Sequence, residues 1–101
     1  MKRRVVILAP EAIEDLRRLY DWLANRTNEL VAKRYVDRIE AFCRGFDTAS
    51  ERGHRRDDLR QGMRIAGFER RVTIAFAVDT DRVTILRIFY GGQDWERTLA
   101  R

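Results

Sequence analysis

An α+β domain is the fold class this sequence predicts: an N-terminal strand, a two-helix hairpin, a three-stranded antiparallel sheet portion and a short C-terminal helical turn. Three observations carry it. A β-branched apolar run, Val5-Val6-Ile7-Leu8, lies near the start; two apolar stripes at helical spacing follow, separated by a short polar break; and the last third alternates apolar and polar with a period of two. The 101 residues suit one core and are too few for a second, so 1–101 is expected to be a single domain.

Residues 4–9 read as the first strand, since β-branched side chains fit a pleated surface. Pro10 suits the first turn of a helix, where its missing N–H is not needed, and Glu11, Glu14 and Asp15 put negative charge near the positive end of the helix dipole. Ala9 at the cap position lacks a side-chain acceptor, which weakens this start by about 1 kcal/mol. Ile13, Leu16, Tyr20 and Leu23, widened by Leu19 and Trp22, form the first stripe. Turn and cap residues from Asn25 to Asn28 interrupt it, and Ala32, Tyr35, Ile39, Phe42 and Phe46 mark a second helix. The polar stretch 47–61 is expected to be a solvated connector.

Residues 62–68 read as a short strand and 71–78 as a longer one, with Val72, Ile74, Phe76 and Val78 on one side. Asp79-Thr80-Asp81 supplies a turn into a partner strand over 82–90. Gly91-Gly92 ends the sheet, and 94–99 reads as the helical turn. Two helices on one face of a small sheet, the other face partly open, is the packing that follows. In 82–90, Thr84, Leu86, Ile88 and Tyr90 share one side, and Val83, Ile85, Arg87 and Phe89 the other. The first set is assigned to the helix-covered face, because a mid-strand arginine is easier to place where water or a partner reaches it.

Net charge is +5 and the isoelectric point about 10.1, which implies an acidic partner: nucleic acid, an acidic protein segment, or both. Nearly all of the positive charge is arginine, Lys2 and Lys33 being the only lysines. No stretch approaches the roughly 20 apolar residues of a membrane span, so no membrane partner is expected. The apolar run after the basic Met1-Lys2-Arg3-Arg4 is shorter than the roughly 7 to 15 residues of a signal peptide, which points to the cytoplasm. Cys43, the single cysteine, sits in a helix stripe and reads as a small core residue. His54 is the only histidine and has no ligand cluster around it, so neither metal nor cofactor is expected. No helix-turn-helix or zinc signature supports plain nucleic-acid binding.

Four segments in order bear a family resemblance. Ala9-Pro10-Glu11-Ala12-Ile13-Glu14-Asp15-Leu16 is similar to the small-Pro-x-Ala-x-x-Asp-Leu opening of the RelE/ParE toxin superfamily, and Ala32-Lys33-Arg34-Tyr35-Val36-Asp37-Arg38-Ile39 to its second-helix pattern. The segment from Gly53 to Arg64 resembles the connector into the second strand, and the segment from Ile85 to Asp94 the closing strand and turn of the ParE branch. Where many relatives end the last strand with a histidine and two arginines, this chain has Tyr90, Gly92 and Gln93. The resemblance implies a toxin neutralised by a ParD-like ribbon-helix-helix antitoxin, which would wrap it with a flexible C-terminal segment. It implies DNA gyrase as the target, contact with operator DNA only through the antitoxin, and a heterotetramer of two toxins and two antitoxins.

The rival is a ribosome-dependent messenger endoribonuclease of the RelE kind. It needs a proton acceptor, a proton donor and cations for the phosphorane. Arg64, Arg87 and Tyr90 are the only plausible set near the sheet, and strict alternation puts Tyr90 on the face opposite Arg87. Arginine stays protonated and makes a poor base, so no catalytic residue is assigned. Arg64 and Arg87 are read either as partner contacts or as structural pairs with a carboxylate. Phe89, Tyr90, Trp95 and Trp22 complete the candidate antitoxin- or target-binding set. For Trp95 a lid closing the sheet edge is the favoured reading over a partner contact, and of Tyr20 and Trp22 one is expected to face the core and the other an antitoxin.

Overall fold

Pro10 opens the first helix, and the alternation of the last third becomes sheet. The computed structural model describes residues 3–100. Met1 and Lys2 of the basic N-terminus, and Arg101, lie outside the described residues. The elements are β1 (Val5–Leu8), α1 (Pro10–Arg26), α2 (Glu29–Arg44), a 3₁₀ turn (Gly45–Asp47), β2 (His54–Arg55), β3 (Met63–Phe68), β4 (Val72–Val78), β5 (Arg82–Tyr90) and α3 (Trp95–Leu99). Ala9 provides no side-chain cap; its carbonyl accepts the Ala12 and Ile13 N–H groups at 2.9 and 3.1 Å. At the start of α2, Asn28 Oδ1 accepts the Val31 N–H at 2.9 Å, a cap worth about 1 kcal/mol.

The strands form one sheet in the order β1-β5-β4-β3-β2. β1 runs parallel to β5, and the other pairs are antiparallel. The connector is thus more ordered than its polarity predicts. It contributes β2, and Gly53, at φ +82°, lies so close to the Ile65 carbonyl that a Cβ there would collide with it.

Leu16 and Leu19 of α1 and Ile39 and Cys43 of α2 pack with Phe46 against Ile74, Phe76, Val83, Ile85 and Ile88 of the sheet. Phe46 stacks on Phe76 with centroids 4.3 Å apart. Burial pushes the Cys43 thiol up to about 12, so it stays protonated and packs as a small apolar group. Ile13, expected in this stripe, points outward at 56% exposure, and Ala12 takes its place in the core.

The face assignment of β5 fails halfway along the strand. Ile85 pairs with Phe76 and Arg87 with Ala75, leaving Leu86 as the extra residue of a β-bulge. Val83 and Ile85 face the helices, and beyond the bulge Ile88 and Tyr90 do so as well. Leu86 packs on the opposite face, where it joins Met63, Ile65 and Ala75 beneath Leu59, Trp95 and Leu99. This second cluster explains α3: a five-residue helix cannot hold itself, and it is pinned by Trp95 and by an Arg56–Glu96 ion pair of 2.9 Å.

Between β3 and β4, the Arg71 N–H returns to the Phe68 carbonyl at 3.3 Å. Glu69 and Arg70 between them have φ of 51° and 63°. Both values lie in the left-handed region that turns of type I′ reserve for Asn and Gly, at a cost of about 1 kcal/mol per residue. Arg70→Gly should therefore raise stability by about 0.5 to 1 kcal/mol in urea unfolding; a loss of stability would show that the Arg70 side chain holds the turn.

Candidate functional site

α1 crosses β5 where β1 has ended. β1 reaches only as far as Ile85, after which the Ala9 N–H donates to the Ile85 carbonyl at 2.9 Å and the chain turns into the helix. Among the described residues, no strand covers the rest of β5 on that side. Alternate N–H groups of an antiparallel strand point outward, and here side chains take them. Asp15 Oδ2 accepts the Ile88 N–H at 2.8 Å, and Gln93 Oε1 accepts the Tyr90 N–H at 2.9 Å.

Asp15 also clamps Arg87. Nε donates to Oδ2 at 2.8 Å and Nη2 to Oδ1 at 3.0 Å, with the Arg87 side chain 28% and the Asp15 side chain 11% exposed. The hydrogen bond to Asp15 raises the Arg87 guanidinium above its ordinary value. One carboxylate thereby closes a strand edge, orients a cation in a bidentate fork and joins α1 to β5.

Around this pair lies a concavity of about 600 Å³, walled by Arg18, Leu19 and Trp22 of α1, by Arg71, by Arg87 and Tyr90, and by the turn 91–93. Trp22 is 45% exposed, with its ring 5.6 Å from that of Tyr90 and the Arg26 guanidinium 4.4 Å over it. Tyr90 in turn meets Tyr35 edge-on at 5.9 Å.

Of the six residues singled out in the sequence, Trp22, Arg87 and Tyr90 come together here. Pairing is regular from Arg87 onward, so Arg87 and Tyr90 do stand on opposite faces of β5, as alternation predicts; they nevertheless line one concavity because it lies at the strand's open edge, where Arg87 reaches Asp15 of α1. Arg64 lies elsewhere, donating to the Arg52 and Glu51 carbonyls at 3.1 and 2.6 Å and stitching the connector to β3. Phe89, expected to be available to a partner, is 3% exposed and serves as the floor beneath Arg87, 4.9 Å from its guanidinium. Trp95 is half-buried against the Met63 cluster, with Arg56 5.5 Å over its ring. Asp15, Arg18 and Arg71 were missed. Arg18 stands one helical turn before Trp22, a spacing legible in the sequence; Arg71 reaches the site through the β4–β5 pairing, which no local pattern announces.

Chemically the concavity offers guanidiniums, aromatic faces and a glycine turn. Asp15 is the only carboxylate among its lining residues, and both of its oxygens are already accepting hydrogen bonds. Among the described residues, no group of three His, Cys, Asp or Glu is placed to hold a metal ion, and no helix is long and apolar enough to cross a membrane.

The family described as "ParE toxin of type II toxin-antitoxin system, parDE" matches residues 6–95. This chain belongs to the ParE toxin family. Among solved structures it is similar to the "Chromosomal ParDE TA system from P. aeruginosa", at 22% identity and a TM-score of 0.77, over 88% of this chain and 97% of that one. At that identity the likeness concerns the fold. No curated protein matches significantly. The ParE match runs from β1 to the first residue of α3 and so takes in both the Asp15 clamp and the concavity beside it.

Removing the clamp leaves a partly buried guanidinium and an unpaired strand N–H. Asp15→Ala should therefore cost about 3 kcal/mol in urea unfolding. A cost below about 1 kcal/mol, the range of exposed pairs, would show that water replaces the carboxylate.

Proposed function

We propose that this ParE-family chain acts by adhesion: it binds and poisons DNA gyrase in the cytoplasm, and a ParD-like antitoxin neutralises it by covering the concavity beside β5. The observation that carries this reading is the occupation of Asp15. The site holds cations and aromatic surfaces suited to gripping an acidic, partly apolar segment, while the carboxylate that could move a proton is committed to Arg87 and Ile88. The antitoxin would reach operator DNA through its own ribbon-helix-helix part and assemble with the toxin as a heterotetramer.

The ribonuclease reading gains one point from the open edge of β5, where Arg87 and Tyr90 line a common concavity from opposite faces of the strand. It lacks a base beside them. His54, the only imidazole in the chain, is in β2 at the far edge of the sheet from β1 and is absent from the lining.

Inducing the chain in a bacterial host should cause filamentation and DNA-damage signalling, relieved by co-expressing the neighbouring gene. Immediate translational arrest with transcripts cut at defined codon positions would establish the ribonuclease instead. Because the site is cationic, raising salt from about 0.05 to 0.5 M should slow antitoxin association at least tenfold and change dissociation far less; a salt-independent on-rate would remove charge steering from the account.

A further inference from the structure

Tyr90 and Arg71 line a second recess on the far side of the Tyr90 ring, closed by Leu23 and Val31 at the turn end of the helix hairpin and by Arg34 and Tyr35 of α2. Two features of this recess have no use within the chain. The Tyr35 hydroxyl is buried and makes no hydrogen bond, although folding rarely leaves such a group unsatisfied. Arg34 and Arg71 have no carboxylate within ion-pair distance among the described residues, in contrast to the neighbouring Arg38, which is held by Glu69 at 2.6 Å. Burial also raises the Tyr35 phenol, so its oxygen keeps its proton and can donate.

We propose that this recess is the receptor for one carboxylate side chain of the antitoxin, gripped by Arg34, Arg71 and the Tyr35 hydroxyl, with an adjoining apolar residue of the same segment lying on Leu23 and Val31. The inference rests on the antitoxin reading above and adds to it the place and chemistry of one contact. Charge selects the occupant. The recess and the concavity beside it together carry five guanidiniums against two carboxylates; the two carboxylates hold Arg38 and Arg87, and Glu14 stands 3.4 Å from Arg18, which leaves Arg34 and Arg71 for a ligand. The apolar wall argues for peptide over nucleic acid: Leu30 and Val31 are 57% and 45% exposed beside the recess, where a phosphodiester would gain nothing. The strained Glu69–Arg70 turn sets the start of β4, and with it Arg71, against the hairpin end.

Titration of the full chain with the antitoxin encoded beside its gene tests this. Arg71→Glu should weaken binding by about thirtyfold or more, whereas Arg60→Glu, an equal charge change on the exposed connector, should alter it by less than about threefold. Tyr35→Phe should weaken binding by about fivefold and leave the melting temperature of the free chain unchanged or raised, because its hydroxyl supports nothing in the unbound fold. Equal effects of Arg71→Glu and Arg60→Glu, or a Tyr35→Phe chain that is less stable and binds normally, would overturn the receptor while leaving the antitoxin reading intact. A single-stranded oligonucleotide that binds through Arg71 and Arg34 while the antitoxin ignores both would also overturn it. Failure of the wild-type chain to bind its neighbour at all would bring down the antitoxin reading and the receptor together.

Discussion

A strand edge left bare by its neighbour is the constraint on which the rest of this structure depends. β1 stops at Leu8 because Pro10 must begin a helix, and β5 runs on for five residues past the end of that pairing. Unpaired strand N–H groups are costly when covered and sticky when open. The chain answers with two side chains, Asp15 from the helix that crosses the gap and Gln93 from the turn that follows the strand. Each is fixed by the element that carries it, so the edge, the helix crossing and the terminal turn lock one another in place.

The same arrangement accounts for the character of the site. A carboxylate that caps a backbone N–H and holds a guanidinium at two points is spent, and the arginine it holds is presented as a fixed charge over the Phe89 ring. Fixed cations beside Trp22 and Tyr90 lose little conformational freedom when a partner arrives, which favours recognition of an acidic and apolar segment. Proton transfer would require freeing Asp15, and freeing it would release the strand edge. Under the proposed reading, stability and adhesion draw on the same atoms, and a catalytic use of Asp15 would compete with both.

Much of the fold could be read from the residues. Pro10, the Asn28 cap and the two apolar stripes placed both helices, and strict alternation in β4 placed the sheet. Length was too weak a guide for β2, a two-residue strand formed because Gly53 lets the connector approach β3. The β5 bulge was missed because strict alternation was applied to a strand whose apolar parity slips: Val83 and Ile85 are odd, Ile88 and Tyr90 even. That slip, against an unbroken pattern in β4, is the sequence signature of an extra residue, and Arg87 stands at the point where it occurs. Trp22, Arg87 and Tyr90 were legible as candidates because aromatics and mid-strand arginines stand out in any pattern. Asp15 was hidden in plain view, since a carboxylate in the early turns of a helix already has an explanation in the helix dipole. Arg71 carried no local signal, because its role arises only when the tip of the β3–β4 hairpin meets the turn end of the helix hairpin.

Amide and guanidinium hydrogen exchange in the isolated chain, followed by nuclear magnetic resonance, tests the clamp most directly. The Ile88 amide and the Arg87 Nε–H should exchange with protection close to that of the core strand β4, because opening them requires α1 to leave the sheet. Exchange of both at the rate of unpaired surface groups such as the Arg60 guanidinium would contradict the account, since Asp15 would then be free to do something else.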